Sequence, residues 1–181
     1  MKRIAVLIDG SNFSAAAKQI GYRPDYKKIL DYYSLQGELA GAYYFTALPP
    51  KEIITSLRKV TDYLQTNGWR VITKEYKTYD GIIKGNMDVE IAVKAMQISS
   101  RIDNLILFSG DGDFRSMVEA VQDMTVHVTA VSIHSYDENC MISEDLRRQV
   151  DKFVDLRDLQ MEFDKAERTQ SRLRFMFSNG G

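Results

Sequence analysis

The chain has 181 residues, 44% apolar and 27% charged, with a net charge of −1. That is the size and make-up of one soluble globular domain. No apolar run approaches the ~20 residues that cross a bilayer, and Met1-Lys2-Arg3 with only five apolar residues behind it is too short for a signal peptide. The single cysteine, Cys140, excludes a disulfide framework and a thiolate zinc site, so a reducing cytoplasm is the expected setting.

In chain order, strand-like apolar runs are expected near 3–8, 40–46, 69–75, 104–108 and 126–133. Helical patterns alternate with them near 14–20, 25–36, 51–67, 87–101, 114–123 and 143–150, and a further one begins near 158. Pro49-Pro50 and Gly68 punctuate the joints. Short apolar strands alternating with helices predict βαβ units. The fold class is therefore α/β: a single Rossmann-like three-layer domain over 1–164, with a mostly parallel five-stranded sheet in the order 3-2-1-4-5. Residues 165–181 read as a basic helix end or tail. There Lys165, Arg168, Arg172 and Arg174 face only Glu167, which suits a solvated end or a substrate-guiding arm.

Acidic residues follow the apolar runs. Ile4-Ala5-Val6-Leu7-Ile8 stops at Asp9-Gly10-Ser11-Asn12, and Leu105-Ile106-Leu107-Phe108 stops at Ser109-Gly110-Asp111-Gly112-Asp113. In open parallel sheets ligands bind beyond the carboxyl ends of strands, where strand order reverses. The expected order makes the first and fourth strands neighbours there, so Asp9 and Asp111 face one crevice. Asp88, after Lys84-Gly85-Asn86-Met87, opens the fourth long helix. At ~100° per residue, Val89, Ile91, Ala92, Val93, Ala95, Met96 and Ile98 fill a broad apolar arc that also contains Asp88. Glu90, Lys94, Gln97 and Arg101 form the opposite stripe, with Glu90 and Lys94 spaced as a surface ion pair. Asp88 is either a first-turn acid favoured by the helix dipole or a metal ligand.

Carboxylates sharing a crevice repel by roughly 4 kcal/mol per pair at ~4 Å and an effective dielectric near 20. Mg²⁺ or Mn²⁺ relieves that conflict and is the hard cation such oxygens prefer. Such an ion suits phosphodiester hydrolysis in a chain with only two histidines, His127 and His134, both read as structural or incidental. Asn12 either caps the next helix or anchors an Asp or a metal-bound water. Ser11 and Ser109 are caps, donors to the aspartates, or phosphate contacts. Lys84 is a solvated loop residue or a phosphate contact. Arg115 stands where a dinucleotide fingerprint needs its third glycine, and no G-x-x-x-x-G-K-[ST] loop exists. The Asp113 region lacks the EF-hand ligand series, and Ser11 replaces the second Asp usual in aspartyl-phosphate phosphatases.

Asp9-Gly-Ser-Asn12, Lys84-Gly85 with Asp88, and Ser109-Gly-Asp111-Gly-Asp113-Phe114, in that order and spacing, resemble the NYN domain. This is a branch of the PIN-like nucleases, and the likeness is to its bacterial LabA-like group. It runs over about residues 2–156, through Leu146 and Asp151-Lys-Phe153. The resemblance implies a 3-2-1-4-5 sheet and a Mg²⁺- or Mn²⁺-dependent ribonuclease whose acidic pocket corresponds to Asp9, Asn12, Asp88, Asp111 and Asp113. Two positions depart from it: Lys94 stands where many relatives carry another acid, and Met124-Thr125 where relatives tend to have glycine before the last strand. The function expected is cleavage of RNA by a metal-activated water. Asp9, Asp88, Asp111 and Asp113 would hold the metal, Asn12 would orient it, and Ser11, Lys84 and Ser109 would bind phosphate. The partner is RNA, without a membrane, and a homodimer is compatible. The alternatives are a non-catalytic RNA- or partner-binding module that keeps the pocket, and a phosphomonoesterase.

Overall fold

Strand β1 (Arg3–Asp9) lies at the centre of the sheet and is buried on both faces, which is why its sequence is an unbroken apolar run. The computed structural model describes residues 1–48, 56–79, 82–134 and 140–162, without the side chains of 77–79 and 82–84. Along the chain follow α1 (Gly10–Gln19), α2 (Tyr26–Ser34), β2 (Glu38–Leu48), α3 (Ser56–Thr66) and β3 (Arg70–Glu75). After them come β4 (Lys77–Tyr79), β5 (Ile82–Lys84), α4 (Asp88–Ser99), β6 (Asn104–Phe108), a 3₁₀ turn (Gly112–Phe114) and α5 (Arg115–Asp123). The order ends with β7 (His127–Ser132), α6 (Glu144–Gln149) and β8 (Lys152–Asp155), and residues 156–162 form a further helical stretch.

The main sheet is parallel, in the order β3-β2-β1-β6-β7-β8. The expected order is present, and a sixth strand extends it. That strand, Lys152–Asp155, pairs parallel with β7 through Ala130 and Phe153. It has too few apolar residues to announce itself, and its place comes from the neighbour it pairs with. β4 and β5 form a separate antiparallel hairpin, also unforeseen.

Side chains alternate across the sheet. Ala5, Leu7, Phe45, Leu105 and Leu107 face α4, α5 and α6, whereas Ile4, Val6, Ile8, Tyr44, Ile106 and Phe108 face α1, α2, α3 and the stretch after β8. Tyr43 and Tyr44 are core residues on opposite faces. α1 begins at Gly10, earlier than its periodicity suggests, because Asp9 caps it. Residues 49–55 and the basic stretch from Lys165 lie outside the described residues.

The expected apolar arc of α4 needs correction. Ile91, Ala95 and Ile98 are buried, but Val89, Val93 and Met96 are 70%, 49% and 37% exposed. Seven apolar residues in twelve spread round more of the helix than the sheet can cover. With Ile91 facing inward, Val89, Val93 and Met96 fall ~140–160° away, and Asp88 only ~60°, at the edge of the buried face. The Glu90–Lys94 pair does not form. Glu90 flanks the other edge and binds Lys74 at 3.0 Å, while the Lys94 ammonium donates to Gln97 Oε1 at 3.1 Å and lies 5.4 Å from the Tyr43 ring centroid.

Thr125, at the turn into β7, has φ 64°. A β-branched residue in this left-handed region is strained.

Candidate metal centre

The site lies at the carboxyl ends of β1 and β6, where strand order reverses. β1 ends at Asp9, whose side chain is 5% exposed. Its Oδ1 accepts from the backbone N–H of Ser11 (3.1 Å) and Asn12 (3.2 Å) and from the Ser11 hydroxyl (2.7 Å). Its Oδ2 accepts from the Ser109 hydroxyl at 3.3 Å. A buried carboxylate needs such donors, and together they fix the first turn of α1.

Asn12 carries the order across to β6. Its Oδ1 accepts from the Gly110 N–H at 3.0 Å, and Ser109 Oγ in turn accepts from the Asp111 N–H at 3.2 Å. Asp111 caps the 3₁₀ turn by accepting from the Asp113 N–H at 3.0 Å. Gly110 is sterically required, since a Cβ there would sit 1.9 Å from the Met141 carbonyl oxygen and 2.6 Å from Ser132 Oγ.

Asp88 comes to the same place from the opening turn of α4. Asn86 holds it from both sides: the Asn86 amide donates to Asp88 Oδ2, and its Oδ1 accepts from the Asp88 N–H at 2.6 Å. Reading the sequence passed over Asn86. Its signal is an Asn two residues before a helical Asp, a spacing that lets its side chain bond the backbone two residues on.

One carboxylate oxygen from each of Asp88, Asp111 and Asp113 lies within 4.8 Å of the others. Asp88 and Asp111 are partly buried and Asp113 is exposed. None of the three forms an ion pair among the described residues. The Asp88 carboxyl is held above the ordinary carboxylate range, first by burial and then by the charges of Asp111, Asp9 and Asp113, against the pull of the Asn86 hydrogen bond. Unbalanced negative charge and three hard oxygen donors fit a divalent cation of the Mg²⁺ or Mn²⁺ type.

The expected acids therefore divide. Asp88, Asp111 and Asp113 are brought together. Asp9 is close enough to act on Asp88 electrostatically but is engaged as a cap. Ser109 is 1% exposed, between Asp9 and Asp111, and Ser11 is exposed at the rim. Lys84 lies on β5, paired with Lys77, and its side chain lies outside the described residues. His127 is exposed at the start of β7. The His134 ring lies 3.7 Å from Glu144 and packs edge-on to Phe153.

The NYN domain profile matches residues 3–159. The chain belongs to the NYN domain family. It is 31% identical over 177 residues to the "Low amplitude and bright protein LabA" of Synechococcus elongatus, covering 93% of this chain and 91% of that protein. A crystal structure of a Vibrio parahaemolyticus protein of unknown function superimposes with a TM-score of 0.73 at 27% identity, over 86% of this chain and 93% of the other. This NYN domain thus has the PIN-like α/β fold of its relatives, with an acidic cluster suited to a nuclease. Among its described residues, no helix is long and apolar enough to cross a membrane.

Proposed function

We propose that this NYN domain is a ribonuclease that hydrolyses RNA phosphodiester bonds with Mg²⁺ or Mn²⁺ held by Asp88, Asp111 and Asp113. The observation carrying this reading is the convergence of three carboxylate oxygens within 4.8 Å, with no cationic side chain among the described residues paired to them, at the reversal point of the sheet. Membership of the NYN family supports RNA as substrate. When bound, the ion supplies a water of lowered pKa and polarises a phosphoryl oxygen.

The chain's own residues position that chemistry. Asp9 holds the start of α1 and, through Ser109, the Asp111 backbone. It also adds negative charge that favours a cation nearby. Asn12 ties α1 to Gly110, keeping the two strand ends in register. Asn86 presents the Asp88 carboxylate in one orientation. In this reading Ser11 at the rim and Lys84 on β5 receive the phosphate, and Ser109 acts through Asp9 and Asp111.

The test is cleavage of labelled RNA by purified protein with Mn²⁺, with Mg²⁺ and with chelator, beside Asp111→Asn. Metal-dependent cleavage lost in Asp111→Asn is expected. RNA bound equally with and without chelator but never cut would replace the enzyme by a binding module. Turnover of a chromogenic phosphomonoester without cleavage of RNA would point to a phosphatase.

A further inference from the structure

Beside the acidic cluster, a cleft of about 310 Å³ opens between the first turns of α1, α3 and α4 and the end of β2. Ser11 and Met87 are among its lining residues, each adjoining a residue of the site, Asn12 and Asp88 respectively. The floor and walls are apolar, from Phe45, Ala47, Leu57 and Met87, with the hydroxyls of Ser14 and Thr46 at the edges. Among the described residues, none that lines it carries a charge.

Those features select the occupant. Among the described residues a phosphate would find no cationic side chain here and would face three nearby carboxylates. A neutral, flat group with polar edges meets no such penalty. The volume is at the low end for small-molecule sites, enough for a single base and too little for a run of nucleotides. The Thr46 hydroxyl makes only a long 3.4 Å hydrogen bond to the Ala47 carbonyl, so it retains acceptor capacity for a base edge. Close packing holds the walls in place. A Cβ on Gly10 would lie 2.7 Å from the Phe45 carbonyl oxygen and the Tyr44 hydroxyl, and one on Gly85 would lie 2.7 Å from Ala47 Cβ.

We infer that this cleft takes the nucleobase of a residue flanking the scissile phosphate, and that this base sets where along an RNA the domain cuts. The inference rests on the ribonuclease reading above and names a subsite within it.

The experiment uses short RNAs of one sequence in which each nucleotide in turn is abasic. Asp111→Asn protein is titrated with the series by fluorescence anisotropy, and active protein is assayed for cleavage of the same series. Loss of the base at one register should weaken binding roughly tenfold, the scale of a lost base contact, and lower kcat/KM to match. Ala47→Phe, and independently Ser14→Phe from the opposite wall, should bind the intact RNA as weakly as the unfilled protein binds that abasic member. A flat response across the series, or base dependence that survives both fillings, overturns the inference. Position-dependent binding without any cleavage leaves the cleft standing and removes the ribonuclease. Cleavage with a flat response does the reverse.

Discussion

Replacing Asp88 by Asn removes one charge from the cluster and keeps its shape, including an oxygen to accept from the Asn86 amide. Two unit charges 4.8 Å apart repel by about 3.5 kcal/mol at an effective dielectric near 20 and by about 0.9 kcal/mol in bulk water. Asp88 faces Asp111 and Asp113, but Asp113 is exposed, so solvent screening brings the relief on removing the charge down to about 1–2 kcal/mol. For 181 residues that is a rise of about 2–8 °C in the metal-free Tm. The same change should remove the metal's own stabilisation, which for the parent is about 2.7 kcal/mol at a hundredfold excess over Kd. The assay is a thermal melt of parent and Asp88→Asn in chelator and in MnCl₂. The parent should gain from Mn²⁺, and the variant should start higher and gain nothing. A variant that melts lower than its parent in chelator, or that responds to Mn²⁺ as the parent does, would refute a repulsive cluster poised for a cation.

Thr125→Gly should stabilise the fold by about 1 kcal/mol, because relief of ~1–2 kcal/mol of left-handed strain outweighs the ~0.5–1 kcal/mol entropic cost of glycine. A higher urea midpoint at unchanged slope is the readout. Gly110→Ala should destabilise by about 3 kcal/mol, the upper range for overpacking, since the Met141 carbonyl in its way is backbone; its melt should fall and its Mn²⁺ binding should weaken with it. Arg3 holds the Asp103 carboxyl down at about 2 through side-chain and backbone hydrogen bonds and its charge. A depressed acid stabilises the fold above its unfolded value of 3.8, and that contribution is lost as pH falls through about 2. Asp103→Asn should therefore flatten the stability profile in this window, measured by denaturant melts at successive pH values.

The central strands were legible because they are covered on both faces, so β1 and β6 had to be continuous apolar runs. β8 was not, since an edge strand of four residues takes its conformation from pairing with β7 rather than from its own pattern. On α4, apolar composition alone could not tell Ile91 from Val93, because what one helix buries depends on how much of its circumference the sheet meets. The convergence of Asp88, Asp111 and Asp113 followed from their places at element starts and strand ends. The engagement of Asp9 as a cap was not visible, and the choice for Ser109 of donor to an aspartate over phosphate contact was left open, because each depends on a hydrogen-bond partner a hundred residues away or on the local turn the chain adopts. Asn86 escaped notice because its task is local and its residue type is common in loops.

The pairing of Ile4 with Asn104 has a consequence for synthesis. Closing a loop of about a hundred residues costs chain entropy that only the finished sheet repays, and such non-local parallel contacts form late. A nascent chain emerging from the ribosome has β1 without one neighbour until β6 is made, and Asp88 without its companions until Asp113 follows. The acidic cluster therefore assembles only after most of the polypeptide exists, so any partly made molecule carries its carboxylates dispersed rather than gathered.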